Sequence, residues 1–363
     1  MNEREAMARA LDLAWRGWGR VQPNPLVGAV VLAGGEPVGE GWHAEFGERH
    51  AEPAALEQAG ERTRGATLLV TLEPCAHQGR QPPCTDIITT SGIRRVVAAI
   101  ADPNPIAAGG AERLRAAGLD VEIGLLGKPA ASQNASFLHR VREPSQPFVA
   151  LKLATSLDGR IADSEGHSRW ISGEEARGYA HWLRAGFDAI AAGGRTVRAD
   201  DPSLTVRGSL QPRVAPRRVV FTESADLDFR LTVVRTAGVT PTIVIASTAT
   251  PAARLRQLEA AGVTVLRADD PGAALSSLRL AGVESLLVEG GGKLAGALLA
   301  GGLVDRYYWV QSPLWLGQGG VPAVSGLPDA AIADVERWEV VERRPLGADT
   351  LLVVDRSPCS PAW

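Results

Sequence analysis

Cysteine is scarce, with three residues in 363: Cys75, Cys84 and Cys359. That excludes a disulfide framework as the organising principle. Long apolar runs are missing as well. No stretch of 18 or more apolar residues occurs, so no membrane-spanning helix is expected. The opening MNEREAMARALDLAWRGWGR lacks the apolar core of a signal peptide. Nor is there an excess of charge of one sign: 38 Lys and Arg stand against 41 Asp and Glu, a net charge of −3. A chain so balanced has no general electrostatic drive toward nucleic acid or an anionic membrane. What is present, 45% hydrophobic and 22% charged residues, predicts a soluble globular protein long enough for two domains. A small-molecule substrate and a cytoplasmic location are expected.

Two of the three cysteines stand in a pattern. His50-Ala51-Glu52 is followed by Glu73-Pro74-Cys75 and then by Cys84. One imidazole and two thiols supply three protein ligands for a tetrahedral zinc with one open position, the arrangement of a catalytic site. A carboxylate two residues after the histidine is too close to be a convenient fourth ligand and is well placed to carry protons. Glu52 is therefore the candidate catalytic residue, and His50, Cys75 and Cys84 are the candidate metal ligands. Zinc brings the pKa of its bound water to about 7, and hydroxide with a proton carrier is the equipment for hydrolytic loss of ammonia from a ring. The order resembles that of zinc nucleobase deaminases, His-x-Glu and then Pro-Cys-x-x-Cys. Here eight residues, AHQGRQPP, separate the cysteines where that pattern has two. Such a loop can reach a substrate. His77 within it reads as a polar contact near the site, with metal ligation as its alternative. A duplicate triplet, His43-Ala44-Glu45, differs in context. HAEPAALEQ opens a helix with Pro53 in its first turn, whereas Phe46 and Gly47 after His43 read as loop. Cys359, in the tail SPCSPAW, reads as an exposed or loosely packed thiol.

Along the chain the first half alternates. Met7, Leu11, Ala14, Trp15 and Trp18 recur at helical spacing and predict an amphipathic first helix whose tryptophans lie in the core. Strands are expected over 27–32, 67–71, 95–100 and 119–123, with helices over 52–60, 85–91 and 111–118 and a hairpin turn at Gly34-Gly35. Parallel strands with crossover helices are the expected arrangement. VREPSQP, residues 141–147, reads as a linker. After it, strands near 148–154, 187–192, 218–221, 242–246, 263–266, 285–289 and 307–311 alternate with helices near 174–185, 251–261, 271–281 and 293–300. The fold class is α/β throughout, in two domains, 1–145 and 146–363, with no repeat between them.

The second half holds glycine-rich turns at strand ends. ESLLVEGGGKLAGA, 284–297, runs strand, three glycines, helix, an arrangement that cradles phosphate on backbone N–H groups and a helix N-terminus. Gly290 to Ala295 fits G-x-G-x-x-A, but a dinucleotide fingerprint belongs in the first βαβ unit of its domain, and this one lies near the end. A tight strand–helix turn needs glycines too, so both readings stand. GGRTVRADDPSLTVR, 193–207, repeats the logic, and two such turns favour nucleotide binding. Arg184 and Arg207 read either as surface charges or as cations for a substrate, and Asp200-Asp201 either as a turn or as acids of a site.

The whole chain resembles the bifunctional deaminase/reductases of riboflavin biosynthesis. PNPLVGAVV at 23–31, GWHAEFGERHAE at 41–52, TLEPCAHQGRQPPC at 71–84 and DPNP at 102–105 carry the likeness in the first half. LKLATSLDGRIA at 151–162, GGRTVRADDPSLTVR and VEGGGKLAGALL at 288–299 carry it in the second. The eight-residue cysteine loop is itself a mark of that family. The resemblance implies a cytidine-deaminase-like α/β/α domain followed by a dihydrofolate-reductase-like α/β domain. It implies zinc and NADPH as cofactors and a pyrimidine ribotide as substrate, with no nucleic acid and no membrane; a homo-oligomer, dimer or tetramer, is expected. By position it places Ala154, Trp170, Thr196, Asp200 and the run Gly291, Gly292, Lys293, Leu294, Ala295, Gly296 and Ala297 at the NADPH site. Ser168, Arg184, Leu204, Arg207 and Glu289 fall at the substrate. Bidentate contacts from Arg184 and Arg207 suit a sugar phosphate. Asp200 is the candidate for orienting or protonating the acceptor, and Arg195, Arg198 and Lys293 are candidates for a 2′-phosphate. Where the family often has Asp-Ser after strand 218–221, this chain has Thr222-Glu223.

Overall fold

The computed structural model describes residues 1–356, so Cys359 lies outside the described residues. The described residues divide into two compact units, Met1–Arg142 and Glu143–Arg356. No helix among the described residues is long and apolar enough to cross a membrane.

In the first unit, α1 (Glu3–Ala14) opens on a reciprocal cap. Asn2 accepts from Glu5 N–H and Glu5 accepts from Asn2 N–H, each at 2.9 Å. Its stripe of Ala6, Met7, Ala10, Leu11, Leu13 and Ala14 is buried. Trp18 packs against buried Ala14, Val21 and Leu26 as expected, but Trp15 departs from the expected core position. The α-helix stops at Ala14, a tighter turn takes over, and Trp15 is left exposed with its ring edge-on to half-buried Trp18 at 5.3 Å.

A five-stranded sheet follows, in the order β2-β1-β3-β4-β5, with β1 Gly28–Ala33, β2 Glu36–Trp42, β3 Thr67–Val70, β4 Arg95–Ala98 and β5 Asp120–Ile123. The expected parallel arrangement holds for β3, β4 and β5 and fails for β1, which runs antiparallel to both neighbours. The Gly34-Gly35 turn forces β1 and β2 into a hairpin, and an apolar run marks a strand without marking its direction. Helices α2 (Ala51–Ala59), α3 (Cys84–Thr90), α4 (Gly110–Ala116), α5 (Gly127–Gln133) and α6 (Ala135–Arg142) complete the layers. Helix α2 lies close on β2 because Gly41 has no side chain: a Cβ there would overlap the Ala51 carbonyl. That approach sets where the α2 N-terminus points.

The second unit is a nine-stranded sheet in the order β11-β10-β9-β8-β12-β6-β13-β16-β15. Its strands are β6 Phe148–Thr155, β8 Ala189–Gly193, β9 Arg217–Phe221, β10 Thr242–Ala246, β11 Thr264–Arg267, β12 Ser285–Glu289, β13 Arg306–Gln311, β15 Glu339–Leu346 and β16 Asp349–Asp355. All are parallel from β11 to β13; β16 and β15 close the edge antiparallel. A small ribbon joins β7 (Arg160–Ala162) to β14 (Val321–Pro322). Helices α7 (Glu174–Ala185), α8 (Gly194–Asp200), α9 (Thr232–Arg235), α10 (Ala252–Ala260), α11 (Pro271–Leu280) and α12 (Gly292–Ala300) run between strands. Strand order reverses between β8 and β12, so the crevice beyond their carboxyl ends is where an open α/β sheet takes a ligand.

Candidate active sites

His50 is the N-cap of α2, Cys75 follows the turn after β3, and Cys84 is the first residue of α3. Three separate segments thus aim at one point. His50 Nδ1 lies 3.2 Å from Cys84 Sγ and 3.7 Å from Cys75 Sγ, and the three donor atoms all fall within 4.8 Å of one another. Donors around a tetrahedral zinc sit roughly 3.5–3.8 Å apart, given bonds of about 2.0 Å to nitrogen and 2.3 Å to sulfur. The residues fit that ion. The hydrogen bond from Cys84 and that of His50 pull the Cys75 thiol down to about 4 against burial. The Cys75 sulfur in turn holds His50 above the ordinary imidazole range. The trio therefore already favours one thiolate.

Glu52, in the first turn of α2, is 3% exposed, and burial pushes its carboxyl up. It lines a cavity of about 260 Å³ together with His43, His50, Cys75, His77 and Asn104. The duplicate triplet is committed elsewhere. His43 is 3% exposed, with Nε2 against Asn24 Nδ2 and Nδ1 against the Arg49 carbonyl, both at 3.1 Å, while Glu45 pairs with Arg20. Since Nδ1 must donate to a carbonyl, Nε2 accepts from Asn24 and the ring is neutral. His77 lies outside the metal trio, and its buried Nδ1 has no hydrogen-bond partner among the described residues.

Sequence reasoning left two features of this cavity unassigned. Glu73 sits 6% exposed and accepts from the N–H groups of Asp102 at 3.0 Å and Ala111 at 2.8 Å, which ties the Cys75 turn to the DPNP loop. Arg80 lines the cavity with its guanidinium 4.6 Å above the Phe46 ring. Both lie inside recognisable motifs, so the signal was position within TLEPCAHQGR, not residue type.

In the second unit the two glycine turns lie side by side. A Cβ on Gly291 would stand 3.1 Å from Thr196 Oγ1 and 3.9 Å from Gly193 N. Gly291 itself has φ 91°, a conformation that an L side chain resists. Glu289 ends β12 beside them. Arg184, near the end of α7, takes Glu289 in two bonds, Nε–Oε1 at 2.8 Å and Nη2–Oε2 at 2.5 Å, and donates to the Thr205 carbonyl at 2.8 Å. Its guanidinium is thus committed within the protein. Arg207 is exposed and its guanidinium makes no hydrogen bond or ion pair among the described residues.

The other predicted positions are placed as follows. Ala154 lies on β6 opposite Val310. Ser168 is half-buried, and Trp170 is 71% exposed with the Arg177 guanidinium 4.6 Å over its ring. The Asp200 carbonyl accepts from Arg169 at 3.1 Å, and burial pushes its carboxyl up. Leu204 buries its side chain in the core, so only its backbone is left for a ligand. In α12, Gly292, Ala295 and Gly296 are buried, Leu294 is half-buried, and Lys293 and Ala297 are exposed. Two residues were missed. Lys152 on β6 is paired in register with Glu289, and burial holds its amine below the usual range. His181 on α7 meets both Arg184 and Arg207. A lone lysine within FVALKLAT was the available signal for the first; a lone histidine on a helix offered none for the second.

The family model of the RibD C-terminal domain matches residues 147–352. That of the cytidine and deoxycytidylate deaminase zinc-binding region matches residues 1–100. Riboflavin biosynthesis protein RibD of Bacillus amyloliquefaciens is 39% identical over 358 residues, covering 95% of this chain and 94% of that one. The RibD of Escherichia coli (strain K12) is 40% identical over 366 residues, covering 97% and 99%. The chain belongs to the RibD family. Solved structures agree with the assignment. Acinetobacter baumannii RibD, form 1, superposes with a TM-score of 0.81 at 34% identity, covering 97% of this chain and 98% of that one. A diaminohydroxyphosphoribosylaminopyrimidine deaminase/5-amino-6-(5-phosphoribosylamino)uracil reductase of Thermotoga maritima gives 0.81 at 35%, with the same coverage. This RibD chain is accordingly a riboflavin-biosynthesis enzyme with a zinc-binding deaminase region ahead of a reductase region.

Proposed function

We propose that the first unit removes the ring amine of 2,5-diamino-6-ribosylamino-4(3H)-pyrimidinone 5′-phosphate by hydrolysis. The second then reduces the ribosyl group of the product, 5-amino-6-(5-phosphoribosylamino)uracil, to the ribityl form with NADPH. The observation that carries this reading is the His50, Cys75 and Cys84 trio with Glu52 in one cavity. His50 Nδ1 and the two sulfurs would hold zinc, which would supply an activated water at neutral pH. Glu52 is the group in the cavity that can hold a proton and hand it to the leaving amine, a task suited to a buried carboxyl whose pKa burial pushes up. His77 offers its unpartnered Nδ1 to the pyrimidine, and Arg80 is a cation for the phosphate.

In the second unit NADPH supplies the hydride. The Gly290–Gly292 turn and the N-terminus of α12 receive its phosphates; Thr196 packs against that turn. Ala154, Trp170, Asp200 and the 291–297 run complete the cofactor side, with exposed Lys293 available to a 2′-phosphate. Ser168, Leu204, Arg207, Arg184 and Glu289 form the substrate side, and Lys152 stands beside Glu289. Hydride arriving at C1′ of the ring-opened imine calls for one proton on nitrogen. Asp200, whose carboxyl burial pushes up, is the candidate to deliver that proton; Glu289, drawn down by Arg184 and Lys152 against burial, is the candidate to orient the sugar.

Two thiol ligands left unpaired fit a reducing compartment, and the cytoplasm is part of this reading. So is a homo-oligomer: β15 is an open sheet edge with Val340 exposed, a surface on which a second copy can pair. The test is a coupled assay on purified protein with the diamino ribotide and NADPH. One ammonia released per NADPH oxidised is expected. NADPH oxidation without ammonia, or ammonia without oxidation, removes one half of the reading.

A further inference from the structure

The segment Asp201–Arg207 is held in an unusual backbone. Asp201 and Leu204 have φ of 40° and 47°, in the left-handed region that non-glycine residues enter only when their surroundings over-determine them. Leu204 is anchored by its buried side chain. The other anchors come from one face of α7, where His181 and Arg184 are neighbours at i and i+3. Arg184 Nη1 donates to the Thr205 carbonyl at 2.8 Å, and His181 Nδ1 accepts the Arg207 main-chain N–H at 3.2 Å. The same ring nitrogen lies 3.4 Å from Arg184 Nη1. An atom that faces two donors must carry a lone pair, so the ring proton sits on Nε2 and the imidazole is neutral.

We propose that His181 is a positioning residue of the reductase: its neutral Nδ1 fixes the Arg207 backbone, and so sets the Arg207 guanidinium toward the sugar phosphate. The inference rests on the reading of Arg207 as a substrate residue. The groups that face His181 are Arg184 on its own helix, Arg207 and the Thr205 carbonyl on the following loop, and Glu289 on β12. Glu289 is taken up by Arg184. Burial first, then the two guanidiniums, hold the ring below the ordinary imidazole range. The neutral form therefore prevails at neutral pH. Protonation on acidification turns Nδ1 into a third donor facing two others, and the Arg207 main chain loses this anchor while Arg184 still holds Thr205.

The experiment uses the full chain with NADPH and the deaminated ribotide. His181→Ala is expected to raise the KM for the ribotide about tenfold, the loss of one hydrogen bond with its positional consequence. NADPH Kd stays at the parent value and certifies the fold. His181→Asn keeps an acceptor near the Nδ1 position and has no proton to gain. It is expected to restore KM to within about threefold of the parent. The ratio of parent to His181→Asn KM should rise as pH falls below the ordinary imidazole range, because the parent ring gains a proton there and asparagine has none to gain. Comparing two proteins on one substrate cancels the titration of the phosphate itself. An unchanged ribotide KM in His181→Ala, a matching loss of NADPH affinity, or a ratio flat with pH overturns the proposal. A parent protein that binds NADPH but not the ribotide in a calorimetric titration overturns the reading of the site, and this inference with it. Ribotide binding that is intact in both parent and His181→Ala overturns this inference alone.

Discussion

Arg184 and Glu289 join α7 to the end of β12 through two parallel hydrogen bonds, 2.8 and 2.5 Å long, with each side chain 13% exposed. Removing one partner of a buried pair strands the other and costs about 3–5 kcal/mol. The residual exposure here sets the expectation for Arg184→Leu at about 2–4 kcal/mol in urea unfolding. Glu289→Gln keeps an acceptor and should cost less. The pH dependence follows from sign. Glu289 is lowered in the folded state, burial opposing and Arg184 prevailing. Its contribution is therefore full above the unfolded carboxyl value of 4.5 and is lost as pH falls through the folded one. The stability gap between parent and Glu289→Gln should close under acid. A gap that widens there removes the ion pair as its cause.

The metal trio makes a sharper claim. Purified protein is expected to carry about one zinc per chain, and Cys84→Ser should lose both metal and ammonia release. Metal analysis decides it. Full zinc occupancy in Cys84→Ser would make His77, whose Nδ1 has no partner among the described residues, the replacement ligand.

Glu52→Gln preserves shape and removes the titrating group. General acid–base help is worth about 10²–10⁴-fold, and deamination should fall by that much with zinc retained. Near-normal ammonia release would point away from Glu52. Glu45 is a poor substitute, because its carboxylate is paired with Arg20.

The deaminase site was legible because its chemistry is written in short motifs. His50 caps a helix that Pro53 announces, and both cysteines follow prolines at element ends. The reductase site was legible only where glycine marks a turn. Lys152 and Glu289 meet through strand register, and register between β6 and β12, more than 130 positions apart in sequence, leaves no local trace. Sequence likewise cannot show that Arg184, expected at the substrate, holds Glu289 and the Thr205 carbonyl. The terminal hairpin of β15 and β16 was missed for another reason. EVVERRPL carries charges on an exposed edge strand, and they hide its alternation.

Glycines in the α12 turn serve different ends, and one substitution separates them. Gly296 lies where a Cβ would overlap the Ser325 carbonyl, so Gly296→Ala must push back the 322–325 chain. A loss of about 1–3 kcal/mol is expected from such overpacking, with NADPH affinity falling as α12 shifts. Thermal melting with and without NADPH reads both. An unchanged melting temperature would mean that the 322–325 segment yields freely.

Arg207 closes the 193–207 segment with an exposed guanidinium that has no partner among the described residues, whereas Arg184 is already paired. The two arginines should therefore behave differently when truncated. Arg207→Ala removes a charge that only a ligand satisfies. It should leave folding stability within about 0.5 kcal/mol of the parent, as surface substitutions do. One charge-assisted contact is worth roughly 1.5–3 kcal/mol, so the ribotide KM should rise more than about tenfold while NADPH Kd stays put. Arg184→Leu, in contrast, should lower stability and ribotide binding together, because its loss frees Glu289 and unties Thr205. Paired titrations of NADPH and ribotide on Arg207→Ala give the decision. If NADPH binding weakens and ribotide binding does not, the guanidinium faces the cofactor, its natural partner is the 2′-phosphate, and the substrate side of the site must be rebuilt around Lys152 and Glu289.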